Sequence, residues 1–192
     1  MLRWLALAVF VATLGISARL RARARRESGT IARSRESKAL IAGRLVMALP
    51  LFLSVVAYVV SPRWMAWASI ALPSPLRWLG AAMGVGVVPS VYWVLKTIGS
   101  NVSETVLTKD NHQLVTSGPY RWVRHPLYVV GICLFLSIGL MAANAFILVW
   151  TGAVAVAVRV VVVPREESAL VAKFGDDYTR YRSGTGALLP RL

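Results

Sequence analysis

The chain has 192 residues, of which 57% are hydrophobic and 16% charged, with a mean hydropathy of +0.61. A soluble domain is nearer half apolar and a quarter charged, and the excess here comes in long blocks, which argues against a soluble domain and for membrane spans. The net charge of +14 would suggest nucleic acid in a soluble protein, but most basic residues sit between apolar blocks, where Lys and Arg hold short loops in the cytoplasm and attract anionic lipid.

The first apolar block runs from about Leu2 to Ile16. Arg3 ahead of a short apolar stretch gives it the outline of a signal peptide. Arg19, Arg21, Arg23, Arg25 and Arg26 follow directly, however, and such a cluster resists translocation. An uncleaved first helix with its N-terminus outside is therefore expected. The segment 19–38 carries eight Lys/Arg and two Glu and suits a solvated helix or loop lying on anionic headgroups. The second block, about Ala39 to Val60, is long enough to cross ~30 Å of hydrocarbon and ends at Ser61-Pro62. The stretch Trp64 to Leu72 is too short to cross, and its tryptophans, with Trp78, mark an interfacial segment. The third span runs from about Leu79 to Ile98, and Gly80 and Gly84 in it are spaced for close helix contact in lipid. A polar loop, 99–125, follows. The apolar run from Pro126 to Val163 is 38 residues, too long for one span, and fits a hairpin turning near Ala143-Asn144. The tail from Pro164 onward is polar again.

The expected fold class is thus an all-α integral membrane protein of about five transmembrane helices. With the N-terminus outside, three cytoplasmic regions, 19–38, 99–125 and 164–192, hold 8, 3 and 5 Lys/Arg, whereas the outer side receives Arg3, Arg63 and Arg77. That asymmetry supports a cytoplasmic C-terminus and puts loop and tail on one face. The chain divides into N-terminal helices, 1–98, and a region 99–192 that includes the hairpin 126–163. The lone cysteine, Cys133, precludes an internal disulfide and suits a small buried hydrophobe. No Cys/His zinc spacing exists, so no metal is expected.

The loop holds both histidines, His112 and His125, with Tyr120, Arg121 and Arg124. The tail opens Pro164-Arg165-Glu166-Glu167, where proline and acids suit the start of a helix. Glu167, Leu170, Phe174, Tyr178 and Tyr181 are three or four apart and share a helical face if Gly175 does not break it. Singly, these residues suit capping, packing and helix ends. Together, in a mostly apolar protein, they form the natural ligand site.

The stretch His112-Gln-Leu-Val-Thr-Ser-Gly-Pro-Tyr-Arg-Trp-Val-Arg-His-Pro-Leu-Tyr128 with Gly131, then Glu166-Glu167 and Phe174-Gly175-x-x-Tyr178-x-x-Tyr181, resembles the signature of the isoprenylcysteine carboxyl methyltransferase family. The closing Thr185-Gly186-Ala-Leu-Leu-Pro190 is similar to that family's end, and Thr97-Ile-Gly-Ser-Asn101 to its bacterial members. The likeness covers about residues 79–192. Gly84-Val-Gly86 matches, more weakly, a Gly-x-Gly of the related phospholipid methyltransferases.

The resemblance implies a membrane-embedded methyltransferase using S-adenosylmethionine, with a lipophilic or lipidated acceptor, most readily a carboxylate, at the cytoplasmic side of a bacterial plasma membrane. It places cofactor contacts on His112, Gln113, Leu114, Val115, Tyr120, His125, Pro126, Leu127, Tyr128 and Glu167, and the candidate site takes in Arg124 and Glu166 beside them. A sulfonium and an ammonium want an acid and aromatic faces, and a carboxylate wants His or Arg. Family enzymes acting on prenylated protein tails carry an arginine one turn before the second glutamate. Here that position is Val163, and Arg159, one turn further back, is the candidate substrate anchor. The competing readings are an NADPH-dependent sterol-type reductase, which shares a similar Arg-His-Pro-x-Tyr pattern, a methyltransferase acting on a phospholipid amine or a thiol, and a membrane protein without catalysis.

Overall fold

The computed structural model describes residues 1–28, 38–99 and 114–191. Among these residues seven α-helices run in chain order: α1 (Leu2–Ser28), α2 (Lys38–Val60), α3 (Ser74–Ile98), α4 (Pro126–Ala142), α5 (Ala145–Ala157), α6 (Val163–Phe174) and α7 (Asp176–Gly184). A 3-10 helix, Pro62–Ala68, follows α2, and a second, Gly118–Arg121, precedes α4. Among the described residues three stretches are long and apolar enough to cross a membrane, Leu2–Arg26, Ser74–Ile98 and Ala145–Phe174, and two shorter apolar helices, Leu45–Val60 and Pro126–Ala142, pack with them. The outcome is an all-helical membrane protein with three to five apolar helices, as the block pattern predicts.

α3 and α4 share the most extensive contact. A Cβ added at Gly80 would stand 2.6 Å from the Leu140 Cβ and 2.8 Å from the Ser137 carbonyl, and one at Gly84 would stand 3.1 Å from the Ser137 hydroxyl. The two glycines are the space in which α4 lies, the device expected where lipid gives helices no hydrophobic reason to associate. Gly86 faces open space and has no such part. Phe10 of α1, Phe52 of α2 and Phe135 of α4 meet edge to face, with centroids 5.5–6.3 Å apart. Outward, Trp64, Trp67 and Val149 are among the large apolar side chains left exposed, a surface suited to lipid rather than water.

The hairpin turns where expected. Ala143 takes a left-handed conformation, φ 49°, and the Asn144 side chain caps α5 by accepting from the Ile147 N–H while donating to the Met65 carbonyl at 2.9 Å. Arg77 donates to the Met141 carbonyl at 3.0 Å, satisfying the last turn of α4. The Asn144–Met65 bond ties the 3-10 helix, and the Arg77–Met141 bond ties α3, to the end of α4 remote from the charged loop and tail.

Two points that the tail's sequence leaves open are decided by its geometry. Pro164 does not start a separate helix: α5 runs into a π turn, Val158–Val162, and straight on into α6. Proline lacks an N–H and crowds the carbonyl four residues back; widening that turn relieves both, and π bulges occupy such places. Gly175, φ 55°, does break the aromatic stripe, so Tyr178 and Tyr181 lie on α7, not on α6 with Glu167.

An ionic candidate site at one end of the bundle

The site is built on Arg124 and His125, at the start of α4. Their backbone N–H groups donate to the Gly186 and Ala187 carbonyls at 2.9 and 3.1 Å, and Val123 pairs with Gly186 as an isolated parallel bridge. The end of the loop and the end of the tail are thus joined by main chain. The Tyr181 hydroxyl adds a bond to the Tyr120 carbonyl at 2.5 Å.

The side chains then converge on the glutamates at the head of α6. Arg124 reaches Glu167 Oε1 with Nε at 2.8 Å and Nη2 at 2.7 Å. Its Nη1 donates to the carbonyls of Arg182 and Thr185. His125 Nε2 lies 3.3 Å from the same Glu167 oxygen, and Arg182 Nε 3.2 Å from the other. Glu166 accepts from the Tyr128 hydroxyl at 2.5 Å and faces His125 Nδ1 at 3.3 Å. Glu167 is 4% exposed and His125 7%, so the network is largely withdrawn from water. Such a cluster is tolerable only because almost every charge has a partner.

Burial alone would depress the His125 imidazole; its hydrogen bonds to Glu166 and Glu167, with their charges, overcome this and raise it above the usual value. Both ring nitrogens face carboxylates, which favours the doubly protonated ring. A group raised on folding stabilises fully below its unfolded pKa, about 6.5 for histidine, and that share disappears as pH climbs through the folded value. The thermal midpoint in detergent should therefore fall with rising pH from about 6.5 upward, and His125→Asn should flatten that slope. Equal slopes would remove His125 from the pH response. Burial also pushes the Tyr120 and Tyr178 phenols up, so both remain neutral.

Of the residues singled out from sequence, Tyr120, Arg124, His125, Pro126, Leu127, Tyr128, Glu166 and Glu167 come together at this end. Leu114 and Val115 are partly buried on the approach to it. His112 and Gln113 lie outside the described residues. Arg159 is exposed on the π turn, and Val163, where the family arginine would stand, is 1% exposed and packed in the protein. Arg182 had no forewarning beyond its place in the tail, whereas Thr185 opens the closing motif and meets Arg124 through its carbonyl. No cluster of metal-ligating side chains occurs among the described residues.

Fold and site together define an all-helical membrane protein with an ionic site at one end of its bundle, closed by loop and tail. Residues 82–172, just under half of the chain, match the model of the isoprenylcysteine carboxyl methyltransferase (ICMT) family. It is 36% identical over 84 residues to the cobalt-zinc-cadmium resistance protein CzcN of Cupriavidus metallidurans, covering 44% of this chain and 38% of that one. It is 32% identical over 96 residues to protein-S-isoprenylcysteine O-methyltransferase of Xenopus laevis, covering 49% of this chain and 33% of that one. The aligned stretches thus span less than half of either relative. The structure of the eukaryotic intramembrane Ras methyltransferase ICMT superposes with a TM-score of 0.54 at 20% identity, over 97% of this chain and 67% of that one, a likeness of fold.

Proposed function

We propose that the protein is a membrane-embedded S-adenosylmethionine-dependent methyltransferase that methylates a lipophilic carboxylate from the cytoplasmic face. The observation that carries this reading is the closure of the family's two motifs, Arg124-His125-Pro126-Leu127-Tyr128 and Glu166-Glu167, into one buried network. The donor set fits the cofactor. Two carboxylates and two tyrosines offer places for its cationic groups, arginine for its carboxylate, and the partly buried Leu114, Val115 and Leu127 an apolar margin for adenine.

When bound, S-adenosylmethionine supplies a methyl group on a cationic sulfur. A carboxylate acceptor is already nucleophilic, so the protein's task is orientation and exclusion of water rather than removal of a proton. Glu167 and Arg124 hold the start of α4 against α6, and buried Pro119, Tyr120 and Val123 keep water from that junction. Arg159 suits an anchor for the acceptor's anionic head. A π turn adds roughly one residue to a turn, which swings Arg159 back towards the side of Glu167 compared with an unbroken α-helix.

Calorimetry of the purified full chain in detergent tests the reading. S-adenosylmethionine should bind and NADPH should not; NADPH binding alone would favour the reductase alternative and end this one. Arg159→Leu should lower methylation of N-acetyl-S-farnesylcysteine at unchanged cofactor affinity. Unaltered turnover would leave Arg159 a membrane-edge arginine whose head lies among lipid phosphates.

A further inference from the structure

We propose that Arg3 and Arg77 hold the phosphate of a membrane phospholipid at the end of the bundle remote from the ionic network, a site independent of the methyltransferase reading. Helix register brings the two arginines together. Arg3, Ala6 and Phe10 are spaced to share one face of α1. That face is the packed one, for Ala6 is fully buried and Phe10 meets Phe52 and Phe135 at 5.5 and 6.3 Å. Arg3 stands two turns before Phe10; Val59 and Ala142 stand two turns after Phe52 and Phe135. α2 and α4 both end at that level, where Asn144 bonds the Met65 carbonyl. α1 begins there, and the charges of Arg3 and Arg77 both act on the buried Tyr58. Arg77 arrives from α3, with Nε and Nη2 on the Met141 carbonyl at 3.2 and 3.0 Å.

No acid answers these charges. Residues 1–26, 38–99 and 114–165 contain no Asp or Glu. Among the described residues the carboxylates are Glu27, about 36 Å along α1 from Arg3, and four in the tail, Glu166, Glu167, Asp176 and Asp177. The Met141 carbonyl is a neutral acceptor and leaves the charge of Arg77 uncompensated. Arg3 lies over the Trp4 ring at 4.5 Å, and its Nε is shut off from water without a hydrogen-bond partner. Two half-buried guanidiniums at a membrane boundary call for an anion. The surroundings favour one borne by lipid. Trp4, Trp64, Trp67 and Trp78 are exposed at this end, as indoles are at headgroup level. Leu76 and Leu79, on either side of Arg77, are exposed as well and suit acyl chains. A phosphodiester at that depth offers charge and oxygens to both arginines, whereas a soluble anion has nothing for the apolar surface.

The test is a titration of the full chain in detergent, read as the rise in thermal midpoint. Three probes are compared: dioleoyl phosphatidylglycerol, dioleoylglycerol, which lacks the phosphate, and inorganic phosphate. The phospholipid should raise the midpoint and the other two should not. Arg3→Gln should raise the half-saturating phospholipid concentration about tenfold, and Arg3→Lys, which keeps the charge without the fork, by less. Arg180→Gln, at an 80% exposed position on α7, should titrate like wild type. Arg77→Gln also gives up the Met141 bonds, so its starting midpoint should fall; the expected result is that its increment with phospholipid is lost. An equal rise with dioleoylglycerol would overturn the phosphate contact, and an equal rise with inorganic phosphate would overturn the lipid as occupant. Arg3→Gln titrating like wild type, or Arg180→Gln weakened as much as Arg3→Gln, would overturn the site itself.

Discussion

Glu167→Ala should destabilise the protein by about 3–5 kcal/mol, the cost of leaving a buried charge without its partner, and should abolish cofactor binding. The Arg124 side chain is 10% exposed and Glu167 5%, and two of the three Arg124 nitrogens aim at one Glu167 oxygen. Without the carboxylate, Arg124 keeps two carbonyl acceptors but no counter-charge, and His125 loses one of its two acids. Arg182 is 55% exposed, so water replaces its share at little cost. Glu167→Gln should do less damage, since the amide oxygen still accepts. Glu166→Ala should do less again, because that side chain is 20% exposed and holds a tyrosine and one histidine nitrogen. Thermal melts in detergent with parallel calorimetry give the order. Equal melts for Glu166→Ala and Glu167→Ala would mean that the Arg124–Glu167 pair holds the site no more firmly than the contacts of Glu166 with Tyr128 and His125.

Gly80→Val should be comparably disruptive by a different route. Its Cβ would fall 2.6 Å from the Leu140 Cβ and 2.8 Å from the Ser137 carbonyl, so α3 and α4 must separate along their largest contact. Overpacking a tight core costs roughly 1–3 kcal/mol, occasionally more, and here the obstruction is partly backbone. Gly86→Val, two turns along the same helix and facing open space, is the matched control and should melt within a degree or two of wild type, in keeping with the small effects of most surface changes. Similar melts for the two variants would show that the helices can part without loss.

Much of this was legible in the sequence because it follows from local geometry. A 38-residue apolar run has to fold back, and Asn144 supplies the cap that says where. Gly80 and Gly84, four apart, announce a close helix neighbour, and the adjacent glutamates announce a site. What escaped depends on contacts made at a distance. Proline at a polar boundary ordinarily opens a helix, and only the widened turn before Pro164 lets an existing helix pass through it. Gly175 could equally have sat within a helix, and its positive φ splits the aromatic stripe. Arg182 looks like any other basic residue at a membrane edge until α7 brings it to Glu167.

The main-chain pairing of Arg124 and His125 with Gly186 and Ala187 bears on how the protein is made. Its apolar helices can enter the membrane one after another as they emerge from the ribosome, but the ionic site draws on the residues at the start of α4, on the head of α6, and on residues 182–187. Until that final stretch has been synthesised, Arg124 lacks two of its carbonyl acceptors and Glu167 one of its cations. Insertion and site assembly are therefore separate events in biosynthesis, and a nascent chain already threaded through the bilayer holds a site that is still open.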